Sequence, residues 1–568
     1  MPTRPGARRS RARRLAQVAL ALALGAAPAL RAEPVSPRPN LLLLVAEDLS
    51  PRIGAYGDPV ARTPNLDRLA AQGVRYSQVF TTAGVCAPSR AALLTGHHAI
   101  SFGAQHMRAS SRPEGGYASV PPPGLIAFPE RLRAAGYTTY TDEKLDYQFS
   151  GPLAGSGPFT IWDAEGRGTH WRGLAGARPF FGLVNFQVTH ESGLFAPLGH
   201  WPHSPLHFAI QLLRAWQFGL GDGEGPTSAA DVVLPPYYPD TPTARADLAR
   251  HYDNIHALDA QVGRLLAELE ADGLAESTIV IWTSDHGDGL PRAKRELYDS
   301  GIHVPMIARW PERHRPPGVQ PGSSDDRLVS FVDLAPTVLE LAGAPLPPDL
   351  PGRSFARAEA TPRDYVYAAR DRIDEVQDRQ RAVRDARFKY LRSYRPEQPG
   401  GHRLAFRDNL ESMRELRALF EAGELDPVQR LWFEAPGAER LYDTASDPHE
   451  IADLSRDPAH AGELARLRRA LDAWLAQVGD TGEESEAVLA ERFWPGGRQP
   501  VTPAPTLALR DGALAIEAIP GASIGYRANG GPWRLYTGPV QAEPGARIEA
   551  RAVRYGWKPR KSAELRVP

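Results

Sequence analysis

Two nearly continuous apolar runs, each followed by a pair of polar residues, most constrain how this chain folds. Residues 40–46 are NLLLLVA, and residues 278–284 are TIVIWTS. Such runs predict strands buried on both faces, as in a mostly parallel sheet covered by helices. The polar pairs are Glu47 and Asp48 after the first run, and Asp285 and His286 after the second. We therefore expect an α/β fold with a site at the carboxyl ends of these strands, where open sheets bind ligands.

The two pairs together predict a cation site. They would bring three carboxylates and one imidazole to neighbouring strand ends, and a mainly oxygen donor set suits Ca²⁺ or Mg²⁺. Taken alone, the first pair is equally compatible with a turn of solvated acids. The second pair, far away in the chain, is what favours a shared site.

Cys86, the only cysteine in 568 residues, lies in the stretch VCAPSR. A helical pattern follows and ends at Gly96, and Pro88 suits a first helical turn because its missing N–H has no partner there. Cys86 is therefore expected at a helix N-terminus, where free N–H groups and the helix dipole favour negative charge. A lone cysteine in this position is either a small buried residue or a reactive group.

The motif Cys-x-Pro-Ser-Arg, followed by AALLTG, resembles the signature of the type I sulfatases, a branch of the alkaline-phosphatase superfamily. Other segments match in the order that the family shows, and the resemblance extends over residues 38–480. It implies an α/β, alkaline-phosphatase-like fold: a mixed, mostly parallel sheet flanked by helices, followed by a smaller α+β subdomain. It also implies that a maturation enzyme oxidises Cys86 to formylglycine, whose hydrate is the nucleophile.

The resemblance assigns roles to residues in each matching segment. The expected metal ligands are Glu47, Asp48, Asp285, His286 and position 86, with Ca²⁺ as the ion and Mg²⁺ as the alternative. The expected catalytic residues are Cys86, Arg90, Lys144, His190 and Lys294. Arg295 competes with Lys294 for the role of gripping the sulfate.

Three further residues join Arg295 as candidate substrate contacts. His106 and Arg108, in the loop GAQHMR, suit a pocket for a polyanion and equally suit a solvated loop. Asp146 stands where the family pattern Lys-x-His has its histidine. This lysine-x-aspartate form resembles a bacterial subgroup similar to heparan N-sulfatases.

The ends of the chain differ in character from its middle. Residues 1–32 combine a basic leader with an alanine-rich apolar run, which predicts an export signal, a periplasmic or extracellular protein and no stable membrane span. The other expected parts are a catalytic domain at 33–360, a C-terminal subdomain at 361–493, a linker at 494–505 and a small β-sandwich module at 506–568. The module resembles fibronectin-associated or chitobiase C-terminal modules, and it either binds glycan or acts as a spacer.

Composition and resemblance together define the expected function. The balance of 66 basic and 67 acidic residues gives no support to nucleic-acid binding. We expect a sulfuric ester or sulfamate hydrolase that releases sulfate from a sulfated glycan, with that carbohydrate and the maturation enzyme as partners. The alternatives are a phosphodiester or phosphonate monoester hydrolase of the same superfamily and a non-catalytic glycan-binding protein.

Overall fold

The computed structural model describes residues 38–174, 179–218, 226–357 and 361–568. The predicted export signal at residues 1–32 lies outside these ranges. Among the helices in these ranges, none is long and apolar enough to cross a membrane.

Eight strands of the described chain form the central sheet. They are β1 (Asn40–Ala46), β2 (Val74–Phe80), β3 (Thr138–Thr141), β4 (Ala164–Glu165), β5 (Phe180–Phe186), β6 (Thr278–Ser284), β7 (His303–Arg309) and β8 (Ser323–Ser330). Their order across the sheet is β4-β3-β5-β1-β6-β7-β2-β8. Among these eight, β7 runs antiparallel to both of its neighbours and all other pairs are parallel. The predicted mixed, mostly parallel sheet is confirmed.

Both faces of the sheet are covered, which explains the uninterrupted apolar run of β1. The helices of this region are α1 (Pro64–Gln72), α2 (Cys86–Thr95), α3 (Phe128–Ala134), α4 (Pro205–Phe218), α5 (Pro242–Ala271), α6 (Asp299–Ile302) and α7 (Leu334–Leu341). Leu42 and Leu44 enter one hydrophobic core together with α1 and α5. Leu41 and Leu43 point the other way, into a second core with α2, α3 and α7.

The register of the central strands determines where the polar pairs meet. β1 lies parallel to β6, with Ala46 opposite Ser284. On its other side β1 lies parallel to β5, with Ala46 opposite Phe186. The residues that follow these three strands therefore emerge together at one edge of the sheet.

A second, antiparallel sheet follows the central one. Its strands are β9 (Val366–Arg370), β10 (Gln380–Arg384), β11 (Phe388–Ser393) and β12 (Glu439–Asp443). The helices that follow α7 in the chain are α8 (Glu411–Ala422), α9 (Ala461–Val478) and α10 (Glu486–Phe493). The strand order is β12-β11-β10-β9. Leu467 and Leu471 of α9 pack on this sheet. The predicted α+β subdomain is confirmed.

The last strands form two further antiparallel sheets. They are β13 (Thr506–Arg510), β14 (Ala513–Glu517), β15 (Ala522–Ala528), β16 (Arg534–Leu535), β17 (Val540–Gln541), β18 (Arg547–Arg554) and β19 (Ala563–Arg566). Their orders are β13-β14-β17 and β16-β15-β18-β19. Leu514 of the first sheet and Ile548 of the second share one hydrophobic core, as in a small β-sandwich. The domain boundaries given above stay predictions.

A buried carboxylate joins this C-terminal module to the catalytic region. Glu130 in α3 is 4% exposed. Its Oε2 accepts hydrogen bonds from Tyr555 Oη and Thr160 Oγ1, each at 2.7 Å, and its Oε1 accepts one from Ser523 Oγ. Tyr555 and Ser523 belong to the module. Both oxygens of Glu130 are thus satisfied by the protein itself.

Candidate active site

The carboxyl ends of β1 and β6 carry a cluster of potential metal ligands. Ligand atoms of Asp48, Cys86, Asp285 and His286 all lie within 4.8 Å of one another. All four side chains are buried. The N–H of Asp48 donates to Oδ1 of Asp285 at 3.1 Å, so the backbone of one strand end fixes the carboxylate of the other. The structure thus brings the two predicted pairs together, with Cys86 among them.

Cys86 is the first residue of α2 and is 1% exposed. Its Sγ lies 3.3 Å from Nε2 of His286. The helix ends before Gly96, whose φ of 72° is a left-handed conformation that suits glycine. Residue 86 therefore lies both at a helix N-terminus and inside the ligand cluster.

The ring of His286 has the orientation of a metal ligand. Its Nδ1 lies 2.9 Å from the carbonyl oxygen of Gly287, and Nδ1 donates because a carbonyl only accepts. Nε2 faces the cluster, 3.1 Å from Oδ1 of Asp48. A backbone hydrogen bond of this kind fixes the tautomer and leaves Nε2 available as a ligand.

Arg90 connects three strand ends. Its Nε donates to Oδ2 of Asp285 at 3.0 Å, and its Nη1 donates to Oδ1 of Asn185 at 2.5 Å. Its Nη2 lies 3.6 Å from Oε1 of Glu47. Sequence analysis did not identify Asn185, because it lies within the apolar run FFGLVNF of β5. In the sequence, Asn185 can be recognised as a single amide within an otherwise apolar strand.

Two lysines neutralise the acids that follow β1. Nζ of Lys144 donates to Oε2 of Glu47, and Nζ of Lys294 donates to Oδ2 of Asp48, each at 2.6 Å. Lys144 lies beyond β3 and Lys294 lies beyond β6, so the two ammonium groups approach from different parts of the fold. The structure places both predicted lysines against predicted metal ligands.

His190 follows β5, at the same edge of the sheet. A ring nitrogen of His190 lies within 4.8 Å of carboxylate oxygens of Glu47 and Asp48. The backbone N–H of Ser192 donates to Nδ1 at 3.2 Å, so the neutral ring carries its proton on Nε2. Burial, reinforced by the charge of Lys294, lowers the pKa of His190 well below its ordinary value. The environment therefore selects a neutral imidazole with a donor at Nε2.

Burial and neighbouring charges shift the pKa values of the cluster in different directions. Burial raises the pKa of Glu47. Burial opposes ionisation of Asp48 too, but Lys294, His190 and His286 together outweigh it, and the pKa of Asp48 lies well below its ordinary value. Burial opposes the charge of His286, yet Asp285 and Asp48 raise its pKa to about 10. The three carboxylates of the site are thus each paired with a cation of the protein, Arg90, Lys144 or Lys294, and the same acids favour the protonated form of His286.

The residues of the cluster fit a divalent cation. Oε1 of Glu47 is buried and has no hydrogen-bond partner in the described part of the chain, and Oδ1 of Asp48 faces Nε2 of His286 at 3.1 Å. A buried polar atom without a partner costs about 1–3 kcal/mol, and more when it is charged. Carboxylate oxygens with one imidazole nitrogen are a donor set that binds Ca²⁺ or Mg²⁺, so a bound ion would remove this cost.

Two of the predicted substrate contacts lie beneath the site. Arg295 is 3% exposed, and its Nη1 and Nη2 donate to the two carboxylate oxygens of Glu191 at 2.7 and 2.8 Å. His106 is 5% exposed, and its Nδ1 accepts the N–H of Arg372 at 3.3 Å. Both side chains are engaged within the protein.

The other two predicted contacts differ in exposure, and Asp146 is buried at 9%. The side chain of Arg108 is 41% exposed, and its Nε lies 3.7 Å from Asp374. Asp146 has a positive φ of 60° and follows Lys144 in the same loop. Of the four candidates, Arg108 has the most exposed side chain and is the best placed to meet a ligand from solvent.

Glu191 is a second residue that sequence analysis did not identify. Its backbone N–H donates to Oδ2 of Asp48 at 2.6 Å, and its carboxylate pairs with Arg295. It also lies 3.8 Å from Nζ of Lys294. Glu191 therefore ties the turn after β5 to a potential metal ligand, and its position beside His190 was its signal in the sequence.

A groove with a volume of about 910 Å³ adjoins His190. Val188 and Ser192, on either side of this histidine, line it together with Arg214 and Arg250. The volume is in the range of sites that bind small molecules. The groove thus offers space for a small molecule beside the turn that carries His190.

The sheet, the acids at its carboxyl edge and the cysteine at a helix N-terminus define an alkaline-phosphatase-like hydrolase. The Sulfatase family model matches residues 39–155 and 200–344, and the model described as N-sulphoglucosamine sulphohydrolase, C-terminal, matches residues 292–434. The chain is 38% identical over 554 residues to an ulvan-active sulfatase of Formosa agariphila, covering 93% of this chain and 91% of that protein. The chain therefore belongs to the sulfatase family.

More distant relatives share the architecture. Human N-sulphoglucosamine sulphohydrolase is 27% identical, with 80% of this chain and 94% of that protein covered. A protein solved with its substrate D-glucosamine-2-N,6-O-disulfate has a TM-score of 0.53 at 18% identity, covering 79% of this chain and 100% of that one. A phosphonate monoester hydrolase from Silicibacter pomeroyi has a TM-score of 0.51 at 18% identity, covering 85% and 99%. The protein is a sulfatase, an enzyme that hydrolyses sulfate esters or sulfamates.

Proposed function

We propose that this sulfatase releases sulfate from a sulfated carbohydrate, with residue 86 in the formylglycine form and Ca²⁺ at the strand ends. The observation that carries the proposal is the position of Cys86, at the start of α2 and among three potential metal ligands. An aldehyde at residue 86, once hydrated, would supply an oxygen nucleophile. Glu47, Asp48, Asp285 and His286 would hold the ion, which would favour ionisation of that hydrate and neutralise sulfate oxygens.

The other residues of the site orient and neutralise the reacting groups. Arg90, held by Asp285 and Asn185, would orient the side chain of residue 86. Lys144 and Lys294 place two ammonium groups beside the ligand acids, where they stabilise charge that develops on the transferred group. His190 holds a proton at Nε2 and would deliver it to the leaving oxygen or nitrogen.

The substrate class that we infer is a sulfated polysaccharide. The relative from Formosa agariphila is named as active on ulvan, and it covers nearly the whole chain. The groove beside His190 offers space for sugar units next to the sulfated one. Arg108, with a 41% exposed side chain, supplies a cation that an anionic chain could meet from solvent. A sulfamate of glucosamine is the second candidate, favoured by the match of residues 292–434 to the N-sulphoglucosamine sulphohydrolase model.

A panel of substrates tests the proposal. The mature protein is incubated with ulvan, glucosamine N-sulfate, an aryl sulfate and an aryl phosphodiester. Released sulfate is measured by ion chromatography, and the phenol released from the phosphodiester is measured by its absorbance. We expect sulfate from at least one sulfated sugar. Faster phosphodiester hydrolysis than release of any sulfate would instead support the phosphonate hydrolase alternative. Glycan binding without sulfate release, with an intact thiol at residue 86 by mass spectrometry, would support the non-catalytic alternative.

We also propose that the protein is exported to the periplasm or the cell exterior. The support is the basic leader and apolar run of residues 1–32. Fusing this segment to a reporter enzyme that is active only outside the cytoplasm tests it. A reporter that stays inactive would contradict export by this leader.

A further inference from the structure

The loop that carries Lys144 has a strained tip. We name residues 143–154 the Lys144 loop; a backbone hydrogen bond from Leu145 to the carbonyl of Pro152, at 2.9 Å, closes its base. At its tip, Asp146 and Gln148 have φ values of 60° and 64°. A non-glycine residue in the left-handed region costs of order 1–2 kcal/mol. Contacts from outside the loop are therefore needed to hold this shape.

An aromatic stack from the C-terminal module contacts the tip. Tyr555, directly after β18, stacks on Phe149 with ring centroids 5.0 Å apart and an interplanar angle of 16°. Phe149 in turn contacts Tyr147, with centroids 5.7 Å apart. All three rings are at most 3% exposed. Offset aromatic pairs of this kind contribute about 0.5–1.5 kcal/mol each beyond their buried area.

A backbone connection runs parallel to the stack. The N–H of Ser119 donates to the carbonyl of Gln148 in the strained tip at 2.9 Å. The module holds the segment of Ser119 from the other side. Arg554 donates to the carbonyl of Pro121, and Gly556 approaches the carbonyl of Ser119 so closely that a side chain there would collide with it.

Glu130 fixes the position of the stacking ring. The hydroxyl of Tyr555 donates to this buried carboxylate at 2.7 Å, and so does Thr160, a few residues beyond the Lys144 loop. One acceptor thus holds the module and the chain that leaves the loop. Phe149 and the chain beyond the loop are therefore both tied to the module, directly by the stack or through Glu130.

We propose that the module of residues 506–568 is a clamp that positions the Lys144 loop, and that Tyr555 and Phe149 are positioning residues for Lys144. This rests on the proposed role of Lys144 in sulfate hydrolysis. The clamp differs from both roles expected from the sequence, because a spacer would not touch the loop and a glycan-binding module would act on the substrate. The clamp acts by fixing the position of Nζ of Lys144, which donates to Glu47.

Hydrogen exchange of the full-length protein tests the clamp without any assay of activity. Tyr555→Ala removes the stack and the bond to Glu130, whereas Tyr555→Phe keeps the stack. We expect amide exchange in residues 143–160 to rise at least about tenfold in Tyr555→Ala and much less in Tyr555→Phe. Arg510→Ala, at an exposed pair with Glu517 on the module, is the control and should leave exchange in this segment unchanged.

Kinetics distinguish a clamp from a glycan-binding module. A displaced Lys144 should lower kcat by about 10–100-fold with little change in KM, and equally on a small aryl sulfate and on the polymer. Loss on the polymer alone, through a raised KM, would show glycan binding and overturn the clamp. Tyr555→Phe should restore most of kcat.

A second variant keeps the test decisive if Tyr555→Ala does not fold. Phe149→Leu removes the stack from the loop side while preserving an apolar side chain, and we expect the same rise in exchange over residues 143–160. Unchanged exchange in both folded variants would overturn the clamp. A wild-type protein that releases no sulfate would refute the proposed function instead, and would leave the exchange result standing.

Discussion

The ligand cluster at the strand ends and the junction at Glu130 are both built on buried carboxylates, but their oxygens are satisfied differently. At the junction, hydroxyls of Tyr555, Thr160 and Ser523 donate to both oxygens. At the strand ends, Oε1 of Glu47 has no hydrogen-bond partner among the described residues, and Oδ1 of Asp48 faces the potential ligand nitrogen of His286. The protein's own donors complete the junction, whereas the cluster leaves an oxygen available for a ligand. A buried carboxylate therefore indicates a binding site where the chain leaves one of its oxygens without a donor.

The largest effect is expected beside the cluster, from Cys86→Ala. Losing the nucleophile should lower the rate of sulfate release by about 10⁴-fold or more. The melting temperature should change little, because the junction is untouched and the side chain loses one atom. Initial rates and thermal unfolding of the purified variant check this. Sulfate release near the wild-type rate would separate the cluster from catalysis.

Asp285→Asn is expected to cost more activity than stability. Losing a charged ligand should remove about 4 kcal/mol of transition-state stabilisation, or about 10³-fold in kcat/KM. The amide keeps the shape of the side chain, but its NH₂ group replaces an oxygen that accepts a hydrogen bond from the N–H of Asp48 or from Nε of Arg90. Urea unfolding should therefore show a loss of about 1–3 kcal/mol, smaller than the loss expected for Glu130→Ala. A variant that is strongly destabilised would place Asp285 in the same class as Glu130.

Glu130→Ala should behave in the opposite way. Three buried hydroxyls lose their acceptor, which should lower the free energy of unfolding by about 3–5 kcal/mol. Glu517→Ala, at an exposed ion pair of the module, should cost less than about 1 kcal/mol. Urea unfolding of the two variants gives the comparison. Equal stabilities would show that the junction contributes nothing to folding.

The smallest predicted effect distinguishes the ligand cluster from the junction at Glu130 by the response of each to calcium. After treatment with a chelator, added Ca²⁺ at about one hundred times its Kd should stabilise the wild-type protein by about 2.7 kcal/mol. Glu130→Gln should keep this response, and Asp285→Asn should lose most of it. Thermal unfolding across a calcium titration measures the shift. A response in Asp285→Asn equal to that of the wild type would place the ion elsewhere.

The features that the sequence could predict depend on residues that are close together in the chain. An apolar run followed by polar residues is contiguous, so the sequence alone located the strand ends and the pairs at Glu47 and Asp285. The family motif added Cys86. The register of β1 against β6, which sets the contact between these segments, follows from the folded sheet.

What the sequence could not predict depended on side-chain direction and distant partners. Lys294 and Arg295 are adjacent, and the structure shows one against Asp48 and the other against Glu191. Asn185 has no polar neighbour in its strand to mark it. Glu130 meets Ser523 across 393 residues, a pairing for which no local pattern exists.

Cys86 and His286 are far apart in the chain, and this separation sets a period during synthesis in which the thiol is still accessible. Cys86 is 1% exposed in the folded protein, and His286, which contacts it, follows 200 residues later. At ribosomal rates of about 5–20 residues per second, those residues take about 10–40 s to appear. During that interval the strand that carries His286 has not yet been made. A modifying enzyme that must reach Cys86 would find the nascent chain a far more accessible target than the finished protein.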